Sequence, residues 1–107
     1  MQIDKKELEF SALLLRAIAH PLRMRILSFI DKNGSINVNK IYTSLGLEQS
    51  ITSQHLRILR NAGLVFTERD GKFVKYSIAY DRIEAAGTAI GHFLNMDSKP
   101  ITAQNAA

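Results

Sequence analysis

A mainly α-helical chain with one β-hairpin is the fold class this sequence predicts, and three observations carry that prediction. First, Gln49–Ala62 sorts cleanly on a helical wheel at about 100° per residue. Ile51, Thr52, His55, Ile58, Leu59 and Ala62 gather on one side with Leu56 at the border, and Gln49, Ser50, Ser53, Gln54, Arg57, Arg60 and Asn61 on the other. Second, Asp70-Gly71 with Lys72 separates two runs rich in β-formers, Leu64–Arg69 and Phe73–Ile78. Asp-Gly is among the strongest short hairpin signals, because the central residues of such a turn take positive φ. Third, the apolar residues of the remaining segments recur at helical spacing.

Taken in order, Asp4 to Ala19 predicts the first helix, with Asp4 placed to cap and Glu7 three residues on in capping-box spacing. Its run Ala12-Leu13-Leu14-Leu15 with Ala17 and Ile18 is apolar nearly all round. A helix on the surface of one core needs a single stripe, so this one is expected to bury two faces, one against its own domain and one against a partner. His20-Pro21 breaks that helix and opens the next, since proline suits the first helical position, where its missing N–H would have no partner. Leu22, Ile26, Phe29 and Ile30 form the inner stripe, Arg23 and Arg25 point elsewhere, and Asn33-Gly34 ends the helix. Ser35–Asn37 is expected as a short extended β link, and Val38–Leu45 as a brief helix with Ile41 and Leu45 inward. A tight turn at Gly46 leads to the amphipathic helix 49–62, and the hairpin follows. Asp81–Asn95 predicts the final helix, on which Ile83, Ala86, Gly87, Ile90 and Leu94 share a stripe. Gly87 and Gly91 lie four apart, and each costs a helix roughly 1 kcal/mol relative to Ala, which implies close approach by another helix. Residues 1–95 therefore read as one domain, and 96–107, polar and containing Pro100, as a disordered tail.

Composition narrows the functional classes. A chain of 107 residues with 46% hydrophobic content suffices for a single core. The absence of cysteine excludes disulfides and thiolate metal sites. MQIDKKELEF lacks the apolar run of a signal peptide, and no stretch approaches the roughly 20 apolar residues of a membrane span. A soluble, cytoplasmic protein is the expectation. The net charge is +4, and Val38–Ile78 holds six basic residues (Lys40, Arg57, Arg60, Arg69, Lys72, Lys75) against three acidic ones (Glu48, Glu68, Asp70), a balance of +3. The positive excess is thus concentrated around helix 49–62 and the hairpin, which favours a polyanionic partner.

The polar face of helix 49–62 carries amides, hydroxyls and guanidinium groups and no carboxylate. That is the chemistry that touches phosphates and base edges in a major groove. Gln49, Ser50, Ser53, Gln54 and Arg57 crowd the first half of the helix: Gln can read adenine, Arg can read guanine, and Ser more often holds phosphate. Arg60 lies further along and reaches backbone at most. Arg69 and Lys72 flank the hairpin tip with Lys75 further down, placed for DNA backbone or the minor groove. His55 falls in the middle of the apolar arc and is expected to be a core-facing, hydrogen-bonded histidine, while His20 at the helix junction suits a capping bond. Glu48 would favour the helix N-terminus but repel phosphate. No Ser–His–Asp spacing, phosphate-cradling glycine loop or carboxylate pair stands out, so an enzyme is not expected, and no cofactor is predicted.

Several stretches together resemble the arsenic-repressor (ArsR-type) family of winged helix-turn-helix regulators. Ala17-Ile18-Ala19-His20-Pro21-Leu22-Arg23-Met24-Arg25-Ile26-Leu27 resembles that family's entry into its second helix, and Gln49 to Arg60 its recognition helix. Asn61-Ala62-Gly63-Leu64-Val65 is similar to the exit into the wing, and Arg69-Asp70-Gly71-Lys72 with Val74 and Tyr76 to the wing itself. The likeness spans about residues 10 to 95. It implies a homodimer held by the first and last helices, two recognition helices in successive major grooves of an imperfect palindrome, and half-site centres roughly 10 bp apart or a multiple of it. It implies a transcriptional regulator, most simply a repressor, bound to double-stranded operator DNA. Family members that sense soft metals carry thiols before the recognition helix; here that stretch is Val38-Asn39-Lys40-Ile41-Tyr42-Thr43, with none. Members that sense zinc or related ions through the last helix use a carboxylate and several histidines, against which this chain offers Asp81, Glu84 and a single His92. A helix cap, a solvated glutamate and a lone histidine are the simpler description of those residues, so no metal site is predicted and the inducer stays unnamed. A protein-interaction or dimerisation module that binds an acidic partner is the alternative function class.

Overall fold

In the computed structural model, which describes residues 4–94 apart from the side chains of Ala89, Ile90, His92, Phe93 and Leu94, five helices surround a small three-stranded sheet. The order is α1 (Lys5–Ile18), α2 (Pro21–Asn33), β1 (Ser35–Asn37), α3 (Val38–Leu45), α4 (Gln49–Asn61), β2 (Val65–Asp70), β3 (Phe73–Ile78) and α5 (Tyr80–Leu94). The predicted tail from 96 to 107 lies outside the described residues. No helix among them is long and apolar enough to cross a membrane.

One core joins the elements, because each sends in at least one buried apolar side chain. Leu14 comes from α1, Ile26 and Ile30 from α2, Ile36 from β1, Ile41 from α3, Leu56 and Leu59 from α4, Val65 and Ile78 from the hairpin and Ala86 from α5. Small elements of three to fifteen residues are marginal alone and hold their shape through this shared burial. A second apolar side of α1 is present in Leu8 and Leu15, both exposed, while Ser11, Leu14 and Ala17 are buried; Leu13, also exposed, lies on the flank towards α4. The expected capping box is not formed. Asp4 stands at the N-cap in extended conformation, but its exposed carboxylate makes no cap hydrogen bond.

Ser35–Asn37 is more than a link. It pairs antiparallel with β3, Ile36 opposite Tyr76, so the sheet runs β1-β3-β2 and the hairpin is one strand wider than local signals imply. Asn37 ends β1 and also caps α3, its Oδ1 accepting from the Lys40 N–H at 2.9 Å.

The hairpin turn sits one residue later than Asp70-Gly71 suggests. Asp70 pairs with Phe73, which leaves Gly71-Lys72 as the two-residue loop, and Gly71 supplies the positive φ of 64° at its first central position. The C-terminus of α4 closes with the paired bonds of a Schellman motif: the Gly63 N–H donates to the Arg60 carbonyl and the Leu64 N–H to the Leu59 carbonyl, both at 2.9 Å. That closure needs Gly63 at φ 77°, and the Arg82 guanidinium from α5 lies where a Cβ would go, 2.8 Å from its position. Arg82 also sits 5.0 Å from the centre of the Phe10 ring, tying α5 to α1. By contrast, a Cβ built on Gly87 or Gly91 meets nothing within 4 Å, so no close helix approach occurs there among the described residues.

Candidate nucleic-acid interface

Helices α3 and α4 with the turn at Gly46, which adopts the left-handed conformation at φ 67°, form a helix-turn-helix, and the hairpin stands beside it. The orientation of α4 follows from what it buries. Thr52, Leu56, Leu59 and the following Ala62 are in the core. Ile51 and Ile58, which the wheel placed inward, are 39% and 41% exposed, and Leu56, placed at the border, is fully buried. The helix is therefore rotated about its axis relative to the wheel's apolar arc. Its packing surface comes from α1, α2, α3 and β2 together, and Leu56 is fully buried in the shared core.

That rotation leaves the polar face outward. Gln49, Ser50, Gln54, Arg57, Arg60 and Asn61 are exposed and Ser53 half-buried. None of these side chains bonds another described residue. The first turn of α4 carries no acidic residue, and Glu48 at the N-cap makes no side-chain cap bond. Its carbonyl instead accepts from both the Thr52 N–H at 3.0 Å and the Thr52 hydroxyl at 2.9 Å. The result is a helix N-terminus with unpaired N–H groups beside free amide, hydroxyl and guanidinium donors, a surface suited to anionic oxygens and base edges.

Behind α4 lies a joint that sequence reasoning missed. Arg23, on α2, uses all three guanidinium nitrogens: Nε donates to the Ala17 carbonyl at 2.7 Å, Nη2 to the Arg16 carbonyl at 3.0 Å, and Nη1 to His55 Nδ1 at 3.2 Å. The first two contacts satisfy carbonyls that the end of α1 leaves open. The third fixes His55 as the tautomer protonated on Nε2, since arginine only donates. His20 caps α2, its Nδ1 accepting from the Leu22 N–H at 3.1 Å, and its ring lies 4.7 Å from that of His55. His55 is thus hydrogen-bonded as expected, but half-buried against α2 rather than in the middle of the core. Burial, then the nearby His20 and Arg23 charges, push its pKa below the ordinary 6.5. The one signal available was spacing: an arginine two residues after His20-Pro21 can turn back to the last turn of the preceding helix.

In the wing, strand alternation separates the three basic candidates. Arg69 shares the inner face with Val65, Thr67, Val74 and Tyr76, whereas Lys75 lies on the outer face with Glu68 and Asp70. Lys75 Nζ forms an ion pair with Asp70 at 3.0 Å, so its charge is partly matched within the wing. Lys72 stands in the loop itself, exposed, its ammonium 5.7 Å from the centre of the Phe73 ring. Asp81 and Glu84 are exposed at the start of α5, and the His92 side chain lies outside the described residues. Among the described residues no group of three or more His, Cys, Asp or Glu could hold a metal ion.

With this geometry in place, comparison with known proteins gives consistent answers. The family described as "Bacterial regulatory protein, arsR family" matches residues 20–67, from the His20 cap to the middle of β2. The Escherichia coli HTH-type transcriptional regulator YgaV is 35% identical over 77 residues, which is 72% of this chain and 78% of that protein. The Bacillus anthracis transcriptional repressor PagR is 37% identical over 83 residues, 78% of this chain and 83% of its own length. The crystal structure of PagR superposes with a TM-score of 0.69 over 81% of this chain and 97% of that one. The Vibrio cholerae transcriptional activator HlyU is 33% identical over 85 residues, 79% of this chain and 78% of HlyU.

Proposed function

This chain belongs to the arsR family of bacterial regulatory proteins, a transcriptional regulator and not an enzyme, and we propose that it acts as a homodimeric repressor on an imperfect DNA palindrome. The observation that carries the reading is the outward face of α4, where Gln49, Ser50, Ser53, Gln54 and Arg57 bond no described residue while the opposite face anchors the helix in the core. In this reading Gln49, Gln54 and Arg57 reach base edges, Ser50 and Ser53 hold phosphate, and Arg60 touches backbone. Arg69 and Lys72 bring the wing to the flanking duplex, and Lys75 contributes less because Asp70 faces it.

The homodimer reading draws on α1, whose exposed Leu8 and Leu15, seven residues apart, share a face that no described residue covers. It draws equally on Gly87, where an added Cβ would meet no described residue within 4 Å. Two copies joined through α1 and α5 present two recognition helices, and a duplex so covered is closed to other proteins, which is the simplest route to repression. Residues 1–95 act in this reading as one DNA-binding domain.

Selection of bound duplexes from a random pool tests the proposal. A recovered inverted repeat with half-site centres about 10 bp apart, or a multiple of it, is the expected result. Recovery of no preferred sequence, or binding that does not weaken with salt, would refute it and favour an acidic protein partner. The dimer is tested separately by Gly87→Leu in sedimentation: helix propensity favours the substitution within one chain by about 1 kcal/mol, so loss of dimer reports an obstructed interface, and an unchanged dimer removes α5 from it.

A further inference from the structure

A groove of about 410 Å³ runs between the end of α1, the outer side of α2, the end of β3 and the start of α5, on elements that α4's outward face does not use. Its volume falls within the roughly 300–1,000 Å³ typical of small-molecule sites. The walls are mainly apolar, with Ile18, Leu27 and Ile83 half-buried along them and Met24 exposed at the edge, 54% accessible. A thioether on an unbranched chain adapts its shape to what it covers. The polar end of the groove is Asp31 with Tyr80.

Three features make that end a cation seat rather than a generic polar rim. Asp31 lies in the last turn of α2, at the negative end of the helix dipole, where a carboxylate gains nothing from the helix and adds to its field. No cation among the described residues lies within ion-pair distance of it. The Tyr80 hydroxyl donates to Asp31 Oδ1 at 2.5 Å, which orients the carboxylate without cancelling its charge and leaves Oδ2 without a partner among the described residues. The exposed Tyr80 ring stands beside it, and an aromatic face attracts a cation.

We infer that this groove binds a small lipophilic cation, its apolar body against Ile18, Leu27, Met24 and Ile83 and its charge against Asp31 and the Tyr80 ring. A neutral body of the same shape forgoes the charge contact, and an anion is repelled by it. The site touches both α2, which carries the Arg23 joint to α4, and the first turn of α5. A ligand that separates Tyr80 from Asp31 therefore shifts α5 relative to the reading head. That regulatory consequence rests on the DNA-binding reading above; the binding itself does not.

Calorimetric titration of the full chain with tetraphenylphosphonium and with its near-isosteric anion tetraphenylborate tests the proposal. Saturable uptake of one phosphonium per chain is expected, with affinity at least tenfold above that for the borate and at least tenfold reduced in Asp31→Asn. Equal affinity for the two ions, uptake unchanged by Asp31→Asn, or no saturable uptake would each overturn it. The comparison of the two ions is made on the unmodified chain and stands even if Asp31→Asn folds poorly. Operator affinity measured with and without phosphonium then tests the coupling: weaker DNA binding by the unmodified chain but not by Asp31→Asn is expected, and an unchanged affinity overturns the coupling. Failure to bind any duplex would instead sink the functional reading, while the calorimetry would still decide the site.

Discussion

On its inner side α4 meets a guanidinium, Arg23, whose every nitrogen holds a partner; on its outer side it carries another, Arg57, that bonds no described residue. The two groups are chemically identical and lie on the two sides of one helix. What distinguishes them is the supply of acceptors. The end of α1 offers carbonyls that its own helix cannot satisfy, and Arg23 takes them, whereas the backbone carbonyls of the outer face of α4 are bonded within its own helix and leave Arg57 none. A free donor on a rigid helix keeps its hydrogen-bonding capacity for something outside the chain. The comparison teaches that side chains that hold the shape and side chains left available for a target are separated by which of them have partners already, and not by residue type.

The sharpest way to break that comparison is to ask whether α4 is rotated as the structure has it. Leu56→Ala should lower stability by about 2–5 kcal/mol and Ile51→Ala by about 1 kcal/mol or less in urea unfolding; equal losses would return the helix to the orientation of the sequence wheel. Next in size, Arg23→Ala should cost about 2 kcal/mol of stability through the loss of three bonds made by a charged group, and Arg23→Lys should recover little because an ammonium cannot span three acceptors in a fork. Arg57→Ala should leave the urea midpoint unchanged yet weaken specific DNA binding by about 1–3 kcal/mol if it reads a base. Equal weakening on random duplex would make Arg57 a phosphate contact, and a shift in the midpoint would erase the distinction from Arg23.

The wing offers the same contrast on a smaller scale. Lys72→Ala should lower the salt slope of DNA binding by about one unit, and Lys75→Ala by less, since Asp70 already stands 3.0 Å away. Equal slopes would mean that the ion pair opens on binding. The least effect is expected from pH. The fold holds His55 below its ordinary pKa of 6.5, so it favours the neutral ring. The stability that this contributes is present above pH 6.5 and is lost as pH falls from there through the folded value. His55→Gln should flatten that acid-side decline in thermal unfolding; a decline that persists unchanged would assign it to other groups.

The helices were legible because their signals are local. Val38–Leu45 and the start of α4 at Gln49 follow from periodicity, and the polar residues of α4 are outward where the wheel puts them. What could not be read depends on partners distant in sequence. Ser35–Asn37 is a short β segment, as expected, but its pairing with β3, some forty residues on, could not be read from three residues. Ile51 and Ile58 look like core on a wheel, yet the helix packs against α1, α2, α3 and β2 in a rotation that buries Leu56 instead. The hairpin signal named the right place and the wrong pair, since Gly71 serves the first central position as readily as the second. Arg23 was hard to read as a structural residue because its three partners come from α1 and α4, and its spacing from His20-Pro21 is the one hint within the sequence.

Asn37 belongs to two elements at once, the last residue of β1 and the cap of α3. A strand of the wing's sheet thus runs into the helix-turn-helix with no linker between them, like the two prongs of a single forged jaw. Such a jaw cannot open or close on itself to suit a longer or shorter duplex site. If two copies grip DNA as a caliper does, the span between their jaws is adjusted at the pivot formed by α1 and α5. Changes in operator spacing should therefore be sought in substitutions at that pivot, and changes in operator sequence in the jaw.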